Sequence, residues 1–310
     1  MKVALYPPGV VDIVILAGLA LCVLLPLVLA PRRFSGMLKL LRPLRLLHYA
    51  GFAAGGAVIG AAVGEAALDP YLLFYVTVSA LVAFQGAVFL NDIFDAEIDR
   101  LAGKKTPFSS GLLGRRDSYI LAASLSVFSL ILMLRCGLAS LLALLAAHVI
   151  SLAYSTPPLR LKRLYPLNVF LLALAGLAVM VSGFASHAPV MLFPLRMLIL
   201  VVVTLTATFG TKDMADVEGD RRRGIRTLFT LLGLEKGRWV NAGLVLASYL
   251  ATPLILAYLR LYWAAAPFGV LTSALIVIRG KKKLREALIL TIYILFGLLI
   301  LGLIAAGEIF

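Results

Sequence analysis

Residues 70–100 read PYLLFYVTVSALVAFQGAVFLNDIFDAEIDR: no charge from Pro70 to Asn91, then four acids at Asp92, Asp95, Glu97 and Asp99. An apolar run of about 20 residues is what a helix needs to cross a bilayer core. The acids that end it stand where water and a cation can reach them. Working outward, comparable apolar segments recur near 10–30, 43–64, 118–136, 138–154, 164–185, 190–211, 240–260, 262–279 and 286–307. At 62% hydrophobic and 14% charged, the 310 residues hold more apolar side chain than a soluble core can bury. The expected fold is an all-α integral membrane bundle of about nine or ten transmembrane helices, with residues 1–310 forming a single transmembrane domain. Residues 1–38 are read as an extra N-terminal span and linker. That first segment is kept as a span rather than a signal peptide, because only Lys2 precedes it and Arg32 and Arg33 follow.

Charge orients the bundle. All but four of the 29 Lys and Arg residues fall in alternate loops; Lys2, Arg135, Arg196 and Arg260 are the exceptions. By the positive-inside rule the rich loops face the cytoplasm, so both termini face outward. The expected setting is a multi-pass integral membrane protein, in the plasma membrane if prokaryotic. The net charge of +14 is therefore topological, and no aqueous basic face with interleaved aromatics suggests nucleic acid. Cys22 and Cys136 lie apart in apolar runs and indicate neither a disulfide nor a thiolate site.

Eight of the 15 acidic residues stand in two short stretches. The second, Asp213-Met214-Ala215-Asp216-Val217-Glu218-Gly219-Asp220, repeats the aspartate intervals of the first. Asp99-Arg100, Gly103, Lys105 and Thr106 correspond to Asp220-Arg221, Gly224, Arg226 and Thr227 at a constant offset, which indicates an internal duplication around a central cavity. On a helix, intervals of three and four gather the three aspartates of a set on one face, where they repel unless cations neutralise them. Asn91 with Asp95, and Asp216 with Asp220, each offer two oxygens to one ion. Magnesium suits such ligands, since it accepts carboxylate and amide oxygens and bridges to phosphate. The spacing of an EF-hand is absent. A solvated acidic helix end, or the ion site of a cation-coupled transporter, explains one such cluster; two matched clusters at helix ends beside basic loops favour an enzyme. His48, His148 and His187 show no metal-ligand spacing and read as polar contacts. Gly51, Gly55, Gly56, Gly60 and Gly64 read as a face for close helix packing.

Asn-Asp-x-x-Asp-x-x-x-Asp at 91–99 and Asp-x-x-Asp-x-x-x-Asp at 213–220 resemble the UbiA superfamily of intramembrane prenyltransferases. Tyr154-Ser155-Thr156-Pro157-Pro158-Leu159-Arg160-Leu161-Lys162-Arg163 is similar to that family's tyrosine-and-lysine loop, and Leu41-Arg42-Pro43 to the start of its first helix. The likeness covers roughly residues 40–307. One departure is Thr106-Pro107 after Lys104 and Lys105, where the family often has Arg-Pro. The resemblance implies transfer of a prenyl group from its diphosphate, through an allylic carbocation, to an aromatic quinone precursor or a lipid precursor, with Mg2+ as cofactor. It implies that Asn91, Asp95, Asp216 and Asp220 ligate metal while Asp92, Asp99 and Asp213 orient the ligands. Tyr154, Arg160 and Lys162 are the leading diphosphate ligands it suggests, followed by Lys105, Lys212, Arg221 and Arg222. The implied partners are a prenyl diphosphate donor, a hydrophobic or amphipathic acceptor and membrane lipid. Phe84, Phe89 and Phe209 are read as packing.

Overall fold

The computed structural model describes the backbone of residues 2–3, 7–101, 114–215, 217–278 and 282–310. The side chains of 23, 26, 33, 96–101, 117, 215 and 282–285 are not part of that description. The described residues are helical apart from turns, loops and one isolated bridge between Val3 and Leu68. The helices are α1 (Val10–Leu29), α2 (Pro31–Leu38), α3 (Pro43–Val63), α4 (Pro70–Leu101), α5 (Arg115–Leu134), α6 (Leu138–Ser155) and α7 (Leu167–Phe184). They continue as α8 (Leu195–Phe209), α9 (Val217–Arg222), α10 (Leu228–Leu232), α11 (Leu234–Ile255), α12 (Tyr262–Val277) and α13 (Lys282–Ala305).

All ten apolar segments are helical. Among the described residues, eight helices are long and apolar enough to cross a membrane. Of the other two, α5 offers a shorter apolar stretch, Ser118–Leu134, and α11 opens with Glu235, Lys236 and Arg238. The chain is thus a multi-pass integral membrane protein. The segment expected over 190–211 becomes helical only at Leu195, after a 3-10 turn at Val190–Leu192 and Pro194; proline supplies no N–H for continued helix before it.

The duplication is visible in the helix boundaries. α3, α4 and α5 end at residues 63, 101 and 134, and α7, α9 and α11 at 184, 222 and 255, so each pair is 121 residues apart. Each repeat contains an even number of crossings, so equivalent points return to the same side of the membrane, and the two acidic stretches share that side. The repeats meet through α3 and α7. A Cβ on Gly56 would lie 1.9 Å from the Met180 carbonyl oxygen, and one on Gly183 would lie 1.9 Å from that of Ala53. Only glycine permits such an approach, and it is the close packing expected of the small-residue face. Gly183→Ala must push the two helices apart and is expected to cost at least about 2 kcal/mol by overpacking. Gly243→Ala, with nothing within 4 Å of its new methyl, should be near neutral. Thermal unfolding in detergent compares the two variants; equal midpoints would contradict the packing account.

The helices form a ring: α3 packs on α4, α7 and α13; α7 on α6 and α8; α8 on α11; α11 on α12; and α12 on α13. α1 lies at its edge, largely exposed but fastened by Asp12, whose carboxylate accepts from Tyr75 Oη at 2.8 Å, the Gly9 amide at 3.0 Å and Arg135 Nε at 3.2 Å.

One expectation is corrected. The first acidic stretch does lie on a continuous helix, since α4 runs unbroken to Leu101. The second does not: α8 stops at Phe209, Gly210–Ala215 is 3-10, and α9 begins at Val217. Buried Asn241 of α11 packs against the break. Its Nδ2 donates to Thr211 Oγ1 at 2.9 Å, and its Oδ1 comes within 3.3 Å of where a Cβ on Gly210 would stand.

Candidate active site

Both acidic stretches open onto one cavity of about 390 Å³ inside the ring. Asn91 and Asp95, one helical turn apart on α4, face the loop after α6. Lys162, buried on the 3-10 turn Leu161–Arg163, reaches between them: its Nζ donates to Asn91 Oδ1 at 2.8 Å and to Asp95 Oδ2 at 2.6 Å. Ser155 Oγ donates to Asn91 Oδ1 at 3.3 Å, and Asn91 Nδ2 donates to Asp95 Oδ2 at 3.1 Å. Arg160 adopts a left-handed backbone conformation (φ 40°) and donates to Asp95 Oδ1 at 2.6 Å and to the Phe94 carbonyl at 3.4 Å. Asp95 therefore sits between two cations whose side chains are 13% and 10% exposed. Burial pulls the Lys162 ammonium below its ordinary range, and the Asp95 charge pushes back. Arg42, the residue that precedes α3, holds Asp92 at 2.8 Å.

On the opposite wall, Asp213 and Asp220 are 7% and 9% exposed and line the same cavity. Asp213 Oδ1 accepts from Lys212 Nζ; its Oδ2 is buried with no hydrogen-bond partner among the described residues. Tyr154 and Lys212 both line the cavity. The Arg226 amide donates to the Arg163 carbonyl at 3.0 Å, tying the loop after the second acidic stretch to the tyrosine-and-lysine loop.

Asp216 and Lys105 lie outside the described residues, as does the side chain of Asp99. Three of the expected diphosphate ligands, Arg160, Arg221 and Arg222, are absent from the cavity lining. Arg221 and Arg222 are exposed, and Arg222 pairs with Glu218 at 3.1 Å in the open. Arg223 lines the cavity instead. The end of α9 accounts for the exchange: Arg223 lies in the turn just after the helix, where its amide donates to the carbonyl of buried Asp220 at 3.1 Å, while Arg221 and Arg222 stand on the exposed last turn. Arg160 is likewise absent from the lining and acts on Asp95. Arg42, read from the sequence only as part of Leu41-Arg42-Pro43, and Arg45 are not among the expected site residues, yet both line the cavity, Arg45 in an ion pair with Glu286 at 2.5 Å. Their signal was their place at the start of the first core helix.

Deeper in, the walls become apolar, with Phe84 stacked on Tyr49 at 4.4 Å and Val88, Leu144 and Leu172 nearby. A second, largely apolar cavity of about 170 Å³ shares His48, Thr208 and Tyr293 with the first, and exposed Leu47 and Leu298 line it. The first cavity is thus charged at one end and apolar at the other, and the second borders it at His48, Thr208 and Tyr293 beside exposed leucines.

Among the described residues no three His, Cys, Asp or Glu side chains form a metal cluster. The donor set nevertheless fits a divalent cation in two respects. Asn91 Oδ1 and Asp95 Oδ2 already converge on one positive charge, the Lys162 ammonium, which stands in for a cation there. Across the cavity, Asp213 Oδ2 is a buried carboxylate oxygen without a partner among the described residues, a costly state unless a cation or a donor completes it.

Known proteins share this architecture. The curated 2-acylphloroglucinol 4-prenyltransferase of Humulus lupulus is 31% identical over 195 residues, which cover 58% of this chain and 47% of that protein. The chain thus spans about half the length of the first curated relatives it matches. Digeranylgeranylglyceryl phosphate synthase of Natronomonas pharaonis is 27% identical over 227 residues, 72% of this chain and 78% of that one. The structure of a UbiA homolog from Archaeoglobus fulgidus bound to GPP and Mg2+ has the same fold, with a TM-score of 0.67 at 18% identity over 86% of this chain and 99% of that one. The sequence model of the UbiA prenyltransferase family matches residues 52–287, from within α3 to the start of α13 and across both acidic stretches. By sequence and by fold, the chain belongs to the UbiA prenyltransferase family.

Proposed function

We propose that this chain is a magnesium-dependent intramembrane prenyltransferase that moves a polyprenyl group from its diphosphate to an aromatic or lipid-precursor acceptor. One observation carries the reading: two acidic stretches, flanked by Lys162, Lys212 and Arg223, face each other across a cavity that continues into apolar space. Breaking an allylic carbon–oxygen bond creates a diphosphate anion and a carbocation, so it needs dense positive charge at one end and a dry wall at the other. Asn91 and Asp95 would hold one ion, and Asp216 and Asp220 a second, with Asp213 Oδ2 beside it. Magnesium bound there neutralises the leaving diphosphate. Lys162, Lys212 and Arg223 bind its remaining oxygens, and Arg160 fixes Asp95. The prenyl chain lies along Phe84 and Val88 toward the second, largely apolar cavity. The basic loops put this site on the cytoplasmic side, and residues 1–38 add a span outside the catalytic bundle.

The relatives support both parts of the proposal: the Archaeoglobus homolog is described as bound to GPP and Mg2+, and the Natronomonas relative as a digeranylgeranylglyceryl phosphate synthase. The test supplies purified protein with geranylgeranyl diphosphate, magnesium and a mixture of phenolic and glycerol-phosphate acceptors, and reads products by mass spectrometry. EDTA should lower product at least about 10²-fold, the scale on which loss of electrostatic stabilisation acts, and added magnesium should restore it. Equal turnover with and without EDTA would refute the metal requirement.

A further inference from the structure

His148 lines the cavity on α6, six residues before Tyr154 and so about 9 Å deeper by the rise of a helix. Its neighbours determine its protonation. Ser129 Oγ lies 2.7 Å from the Ser126 carbonyl, which can only accept, so the hydroxyl proton points there. Ser129 Oγ also lies 2.9 Å from His148 Nε2; the arrangement that satisfies both contacts has Nε2–H donating to the hydroxyl oxygen. The other ring nitrogen, Nδ1, is then a bare lone pair with no hydrogen-bond partner among the described residues. His48, the other histidine on the cavity wall, has no orienting hydrogen bond among the described residues; its ring rests against Phe52 at 4.6 Å.

Building on the prenyltransferase reading, we infer that His148 Nδ1 is the base that takes the acceptor's proton, and that the acceptor presents a hydroxyl to it. The donor's C1–O bond breaks with its electron pair leaving on the diphosphate. A pair from the acceptor, on the hydroxyl oxygen or the ring carbon beside it, forms the new bond to C1. One proton must leave the acceptor in either case, and Nδ1 receives it. Ser129 is a positioning residue that fixes the tautomer leaving Nδ1 free.

The experiment compares the parent with His148→Ala, His148→Gln and Ser129→Ala. It measures magnesium-dependent binding of geranylgeranyl diphosphate, then kcat with an acceptor the parent uses and with its analogue fluorinated beside the hydroxyl. His148→Ala should bind donor as the parent does and lose about 10²-fold or more in kcat, the usual contribution of a positioned base. The deficit should shrink on the fluorinated acceptor, whose more acidic hydroxyl needs less help. A purely structural role would not produce that dependence. Ser129→Ala should show a smaller loss with the same trend. If His148→Ala loses donor binding, His148→Gln, which keeps an amide N–H for Ser129, carries the test. Transfer at the parent's rate, or a deficit equal on both acceptors, overturns the inference while leaving the prenyltransferase reading intact. A parent that forms no product with any acceptor overturns both.

Discussion

Asp95→Ala should lose prenyl transfer by about 10³-fold and should also be the less stable protein, two effects with separate causes. The activity loss follows from removing a carboxylate that shares one cation with Asn91, at the place where the leaving group's charge must be balanced. The stability loss follows from what remains. Arg160 and Lys162, both largely buried, would keep their charges with no counter-ion, and breaking a buried pair on one side costs about 3–5 kcal/mol. Asp95→Asn separates the two. Its amide oxygen still accepts one hydrogen bond but carries no charge, so activity should fall nearly as far, with part of the stability kept. Thermal unfolding and product formation on the same preparations distinguish the variants. An Asp95→Ala protein that unfolds with the parent would contradict the triad, and one that turns over with it would contradict the site.

The second large effect is expected at Asp213. Its Oδ2 is the buried oxygen left unspent by the protein, so the carboxylate is available to a cation while Oδ1 holds Lys212. Asp213→Asn preserves volume and an acceptor for Lys212, so the fold should survive, yet transfer should fall by roughly 10²-fold or more. Glu218→Gln, two residues before buried Asp220, removes only an exposed ion pair with Arg222 and should change activity less than about twofold. Matched losses at Asp213 and Glu218 would show that general acidity, rather than the cavity, is responsible.

Much of this was legible in the chain because hydropathy and repetition are local signals. The ten apolar segments became ten helices, and the offset read from Asp99-Arg100 against Asp220-Arg221 reappeared in the ends of α3, α4, α5 and their partners. The use of Gly56 as a packing surface was legible for the same reason. The side-chain assignments were harder, because they depend on residues far away in sequence. Spacing alone treats 213–220 as continuous helix, but Asn241, some thirty residues later, engages Thr211 and the local backbone is 3-10. That change selects Asp213 as a cavity carboxylate. Arg221, Arg222 and Arg223 are equivalent as a basic run; only the end of α9 at Arg222 separates the third, in the turn that follows, from the first two. Arg160 resembles a diphosphate ligand until its φ of 40° and its bond to Asp95 are seen. The Arg42 to Asp92 pair, fifty residues apart, has no sequence signature at all.

The most direct measurement is a titration of geranylgeranyl diphosphate into the purified protein in magnesium, repeated in EDTA and with Asp95→Asn and Asp213→Asn. The expected result is one donor bound per chain in magnesium, lost in EDTA and weakened by each substitution, since both stretches close on the same diphosphate. Binding that survives EDTA, or that ignores either aspartate, would contradict a single metal-dependent site shared by the two halves.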